Sequence, residues 1–170
     1  METQQGMCNR LHTSFKHGKN FKIGQFNIIE EDVIVGDNVT IENHVTLKNG
    51  TRIGNHVFVD SYVRSSGNNL IGNWVTLRFG ATIAREVVIE DNVFISPNVM
   101  TIYSTAGGQI VPGIKIKKGA FIGTSAVIGP GLIVEKEVTL GVMSYLTHDA
   151  DIQGGVYTGV PATFKRVKYA

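Results

Sequence analysis

Residues 53–77 read IGNHVFVDSYVRSSGNNLIGNWVTL. Branched aliphatics stand at Ile53, Val59, Ile71 and Leu77 on a six-residue beat, and Ser65 is the interruption. The beat runs outward in both directions, through Ile23, Ile29, Val35, Ile41 and Leu47 before this stretch and through Ile83, Ile89 and Ile95 after it. Four positions beyond each beat comes a smaller apolar residue, as at Val33, Val39, Val45, Val57, Val63, Val75, Ala81, Val87, Val93 and Val99; Asn27, Thr51 and Asn69 break this second set. Between the two sets lie GDN, ENH, GNH, GNW and EDN, built from residues that tolerate turns and left-handed backbone. A period of six fits neither an amphipathic helix nor an alternating strand. It fits a short strand, a corner and another short strand, three to a coil, so that like residues stack at about 4.8 Å in parallel ladders. Ile23, Ile41, Val59, Leu77 and Ile95 would climb one inner wall. The fold class is all-β, a triangular parallel β-helix.

The beat changes phase within VFISPNVMTIYSTAGGQIVPGIKIKKGAFIG, residues 93–123. A second register runs Ile116, Ile122, Ile128, Val134, Leu140 and Leu146, and its start is out of step with Thr101, the last slot of the first. The segment YSTAGGQIVPG, residues 103–113, must therefore leave the coil. Loops on rigid scaffolds are where function concentrates. The expected organisation is one domain: an N-terminal lead-in at 1–20, first coils at 21–101, the loop at 102–115, second coils at 116–151 and a short C-terminal tail at 152–170.

Composition narrows the function. A net charge of +2 with 18% charged residues is too balanced for a protein that neutralises many phosphates, so no nucleic-acid partner is expected. The opening METQQGMCNR has neither a signal-peptide run nor a lipidation motif, and no window is long enough to span a bilayer; the expectation is a cytoplasmic protein with no membrane partner. Cys8 stands alone, so no disulfide framework is expected. A zinc site needs converging histidines. His44 and His56 fall on different faces, and His12 and His17 precede the repeat. No metal is expected.

IGNHVF, IGNWVT, IEDNVF and IGTSAV resemble the hexads of the hexapeptide-repeat, left-handed β-helix family. The left-handed coil is taken from that resemblance, since parallel crossovers are otherwise right-handed. IEDNVFISPNVMTIYSTAGG, the IG hexads after the loop and YTGVPATFKR extend the likeness over residues 21–166 to the acyltransferases of that family, including nucleotide-sugar N-acetyltransferases. The resemblance implies acetyl-CoA as co-substrate and a homotrimer with active sites between subunits; Phe58, Trp74 and Phe94 are apolar positions suited to burial against a partner.

Acyl transfer needs an in-line thioester, a donor for the developing oxyanion and a route for the acceptor's proton. Relatives that acylate hydroxyls use a loop histidine as base. Here that place reads Ser104, Thr105, Ala106, and the position of their sugar-binding Asn falls near Gly80. A neutral amine needs no such base. The expected reaction is therefore N-acetylation of an amino sugar on a nucleoside diphosphate, a step of polysaccharide biosynthesis, by direct attack. O-acetylation of a sugar and a non-catalytic scaffold remain open alternatives. Asn98 is the candidate catalytic residue, holding the amine or the thioester carbonyl. His44, Tyr62, Arg78, Phe79 and Tyr103 are candidate substrate-binding residues, with Arg78 for the diphosphate and Tyr62 for the base. The resemblance places Thr124, Val142, Thr147, His148, Gly159, Pro161, Lys165 and Arg166 around coenzyme A.

Overall fold

The computed structural model describes residues 8–168. The first seven residues of the expected lead-in and the last two of the tail lie outside the described residues. Two-residue strands alternate with corners and stack into three sheets, of eight, seven and nine strands among the described residues, all parallel except the longer hairpin strand that ends the third. We number the faces in chain order: face one starts at Arg10–Leu11, face two at Lys16–His17 and face three at Lys22–Ile23. Corners are named by the faces they join. Each strand pairs with the strands of the coils below and above, Leu77 with Val59 and Ile95 for example. The inward residue of each pair is the aliphatic of the beat, and Ile41, Val59, Leu77, Ile95, Ile122 and Leu140 are all fully buried on face three. The coil is left-handed.

The corners explain the residues between the apolar beats. The corner residue of successive coils takes positive φ, as at Asn38, His56, Trp74 and Asn92 on the two-three corner. Beside them a column of side-chain oxygens ties coil to coil. Asp37 Oδ1 accepts from Lys19 N, Asn55 Oδ1 from Asp37 N, Asn73 Oδ1 from Asn55 N and Asp91 Oδ1 from Asn73 N, at 2.7 to 2.8 Å. These bonds satisfy corner amides that no strand partner reaches. They also dictate the preceding glycine. A Cβ at Gly54 would lie 2.8 Å from Asn73 Oδ1, and one at Gly36 would lie 2.3 Å from Asn55 Oδ1. Gly-Asn is thus a steric pairing between neighbouring coils as much as a turn signal.

The breaks at Thr51, Ser65 and Asn69 form a network of their own. Ser65 Oγ donates to Asn69 Oδ1 and lies 2.8 Å from Thr51 Oγ1, while Asn69 Nδ2 donates to Ala84 O. All three side chains are buried, and a buried polar group costs little once paired.

One expected boundary changes. The coil already runs at Arg10–Leu11, paired with Ile28–Ile29, so most of the lead-in is a coil. Its register was hidden because His17 fills an aliphatic slot; its ring stacks on Phe21 at 4.6 Å and sits near Phe15, an aromatic cluster at that end of the coil. At the other end the tail is an antiparallel hairpin, Gly155–Thr158 with Thr163–Val167, that extends face three beyond Thr139–Leu140. It covers an edge that would otherwise present unpaired backbone. Between Met100–Thr101 and Lys115–Ile116 the chain leaves the one-two corner and returns to face two in register, so that the extra residues shift the sequence beat but not the coil and Ile89 pairs with Ile116. Above the loop, Lys117 bonds Glu135 one coil on.

Two outcomes follow from these contacts. Gly54→Ala is expected to destabilise by about 1–3 kcal/mol through overpacking, read as a lower Tm. Gly107→Ala, on the loop, where a Cβ would meet only Thr105 Oγ1 at an ordinary 3.9 Å, is expected to shift stability by less than about 0.5 kcal/mol. The Lys117 hydrogen bond holds the Glu135 carboxyl below its ordinary pKa. Its stabilising effect is therefore complete above the ordinary carboxylate pKa and fades as pH falls through the lowered value. An NMR titration should find the Glu135 midpoint depressed, and Lys117→Met should raise it.

Candidate functional site

The three-one corner carries the site. Its positive-φ column runs Phe26, His44, Tyr62, Gly80, Asn98, Ser125 and Met143. Bulky side chains in this conformation cost about 1–2 kcal/mol each, and two contacts offset the cost. Corner amides donate to the carbonyl of the coil below: His44 N to Gln25 O, Tyr62 N to Asn43 O and Asn98 N to Phe79 O, at 2.8 to 3.0 Å. The rings stack on one another, Phe26 on His44 at 5.0 Å and His44 on Tyr62 at 4.7 Å, both nearly parallel, while Phe79 meets Tyr62 at a tilt of 59° and 5.3 Å.

Between this column and the outward residues of face one lies a groove of about 530 Å³. Ile28, Thr46 and Arg64 form its face-one side, and Phe79 and Asn98 close its upper end. Asn98 points down the column: its Oδ1 lies 2.5 Å from where a Cβ on Gly80 would stand. The glycine at the position where a sugar-binding Asn was sought is what makes room for Asn98. Among the described residues the Asn98 side-chain carboxamide makes no hydrogen bond, so it is free for a ligand.

Of the expected substrate-binding residues, the structure brings His44, Tyr62 and Phe79 together with Asn98. It does not bring in Arg78 or Tyr103. Arg78 directly follows the face-three strand Thr76–Leu77, and its Nε meets Asp60 Oδ2 at 3.2 Å. Asp60 also accepts from Ser61 N through Oδ1. Tyr103 stands at the foot of the loop on the one-two corner, and its carbonyl accepts from Val111 N. Tyr62 is half exposed, with His44 stacked on its ring and Phe79 tilted against it. The residues that sequence reading missed are Phe26 and Arg64. Phe26 was legible one coil further down the His44, Tyr62 column; Arg64 was legible as the outward neighbour of Ser65.

The expected coenzyme residues separate into groups. Thr124 and Val142 are one coil apart on the three-one corner, joined through Met143 N to Thr124 O at 2.9 Å. Gly159 continues that column: its N–H donates to Ser144 Oγ at 3.0 Å and its carbonyl accepts from Tyr145 N. Ala162 N then donates to Tyr145 O, so the chain through Pro161 crosses the top of face one. Thr147 and His148, bonded to each other at 3.0 Å, fall on the one-two corner because they follow the face-one strand Tyr145–Leu146. Lys165 and Arg166 stand exposed on the last hairpin strand, which runs back along face three. The loop closes on itself, with Ser104 bridged to Ile110 and Thr105 N donating to Gln109 O at 2.9 Å. Among the described residues no cluster of three or more His, Cys, Asp or Glu side chains is placed to hold a metal, and no helix is long and apolar enough to cross a membrane.

Residues 8–106 match the family described as the GMPPB C-terminal domain. The bifunctional protein GlmU of Baumannia cicadellinicola subsp. Homalodisca coagulata is 34% identical over 119 residues, which cover 62% of this chain and 24% of GlmU. The chain thus spans about a quarter of that relative. LpxA from Acinetobacter baumannii superposes with a TM-score of 0.69 at 16% identity, over 95% of this chain and 73% of its own. AntD, an N-acyltransferase from Bacillus cereus solved with dTDP and 3-hydroxybutyryl-CoA, gives 0.63 at 20% identity, over 89% of this chain and 82% of its own. These two likenesses carry the fold. With more than half of its length matched by one family and a hexapeptide coil shared with these structures, the chain belongs to the GMPPB C-terminal domain family and has its left-handed β-helix of hexapeptide repeats.

Proposed function

We propose that the protein is an acyl-CoA-dependent acyltransferase acting on a nucleotide sugar, and that it transfers acetyl from acetyl-CoA to the amine of a nucleoside-diphosphate-linked amino sugar. One observation carries this reading. The groove below Asn98 and the column of Thr124, Val142 and Gly159 above it occupy a single corner, so an acceptor from one side and a thioester from the other meet at a free carboxamide. AntD, an N-acyltransferase held with dTDP and an acyl-CoA, and the UDP-N-acetylglucosamine acyltransferase of Campylobacter jejuni, alike in fold with a TM-score of 0.56, lend the reading support.

Direct attack is the mechanism that the groove favours. Its histidine, His44, lies three coils below Asn98, about 14 Å at the strand spacing, too far to take a proton from an amine held there. The amine enters neutral and attacks the thioester carbonyl. Asn98 donates a hydrogen bond to the carbonyl oxygen as it becomes an oxyanion. As the tetrahedral intermediate collapses, the carbon–sulfur bond breaks and the departing thiolate takes the proton that the nitrogen sheds. We place the reaction in a homotrimer, with sites between neighbours; Leu70 on face two and Trp74 on the two-three corner, 51% and 58% exposed, are apolar surface available for such contacts.

Thiol release from acetyl-CoA, measured across UDP- and dTDP-linked amino sugars, is expected to show turnover with at least one acceptor and none with hydroxyl analogues. Absence of turnover across the panel would overturn the amino-sugar reading, and failure to bind CoA in calorimetry would favour a scaffold. Asn98→Gly, which keeps the left-handed backbone and removes only the amide, should lower kcat by about 10²-fold. Light scattering should give a trimer; a monomer would remove the intersubunit site.

A further inference from the structure

We propose that Arg64 is the residue that binds the acceptor's phosphates and so sets the protein's preference for a phosphorylated acceptor over a free sugar. The inference rests on the nucleotide-sugar reading above and names a residue that neither the repeat pattern nor the family resemblance singled out.

Among the described residues lining the groove, Arg64 is the one cation, and no carboxylate lines it. Arg64 is the outward residue of Arg64–Ser65, exposed at the middle of face one, with Thr46 below it and Thr82 above it in register. Its guanidinium makes no ion pair among the described residues. Arg78, the cation expected for this role, differs in each respect. It lies outside the groove, and Asp60 neutralises it. A phosphate drawn to Arg78 would also approach the Asp60 carboxylate and be repelled.

An arginine matches a phosphate because its planar fork donates two parallel hydrogen bonds and keeps its charge. Thr46 and Thr82 flank it with hydroxyls suited to the remaining phosphate oxygens. The spacing also fits. Arg64 stands two residues along the coil from Tyr62, and Tyr62 lies two coils below Asn98, about 10 Å at the strand spacing. A pyranose and its first phosphate bridge such a gap, leaving the amine at Asn98 and the phosphates at Arg64. The nucleoside then extends down the corner toward Phe26, half exposed at the bottom of the stack.

The test is direct binding of UDP, dTDP and GDP by calorimetry to the wild-type protein and to Arg64→Met, Arg64→Lys, Arg78→Met and Arg52→Met, with thermal melts to verify folding. Arg52, on face two outside the groove, controls for the loss of one charge. Arg64→Met should weaken binding about tenfold or more, Arg64→Lys should weaken it less, and Arg64→Met should exceed Arg78→Met in effect. Arg52→Met should match the wild type. If the wild type binds a nucleoside diphosphate and Arg64→Met binds it equally well, Arg64 is not the phosphate anchor while the nucleotide-sugar reading stands. If Arg78→Met causes the larger loss, the anchor is Arg78. If the wild type binds none of the three nucleotides, the nucleotide-sugar reading fails and this inference with it.

Discussion

A coil of this fold must bring its chain back to the same place every three strands, and the corners are where closure is hardest. At each corner the backbone turns through positive φ, and its amides have no strand partner. The side-chain oxygens of Asp37, Asn55, Asn73 and Asp91 solve both problems at once, each accepting from the coil below. Gly36, Gly54 and Gly72 are the steric counterpart, because a Cβ there would occupy the place of the oxygen from the next coil. Once this ladder is set, the inner aliphatics have only to fill a prism of fixed width.

The same closure produces the candidate site. Where the corner column carries rings in place of Asn and Asp, as at Phe26, His44 and Tyr62, the strained backbone is held by stacking and by amide bonds to the coil below. Gly80 interrupts the rings and leaves the space into which Asn98 projects. A groove, a free amide and one unpaired guanidinium thus arise from ordinary variation in a single column of the repeat.

The wall of aliphatics was legible because period six has one structural solution, and the loop was legible because a phase change has no other remedy. The first coil was not, since His17 fills an aliphatic slot and breaks the beat. The corner stack of His44, Tyr62, Gly80 and Asn98 could be assembled from residues one coil apart, and the structure places it as a groove. Arg78 could not be judged from sequence, because its tie to Asp60 depends on which side chains face each other across coils. The division of Thr124, Val142 and Gly159 from Thr147 and His148 was hidden for the same reason: a linear motif does not state which corner each of its residues occupies.

The central claim is that the acceptor arrives as a neutral amine and that no imidazole on the protein removes its proton. The most direct measurement is the pH dependence of kcat/KM with two acceptors whose amines differ in pKa. The account predicts a rising limb that follows the pKa of each acceptor's own amine. A limb fixed in the imidazole range, unmoved when the acceptor is changed, would contradict it.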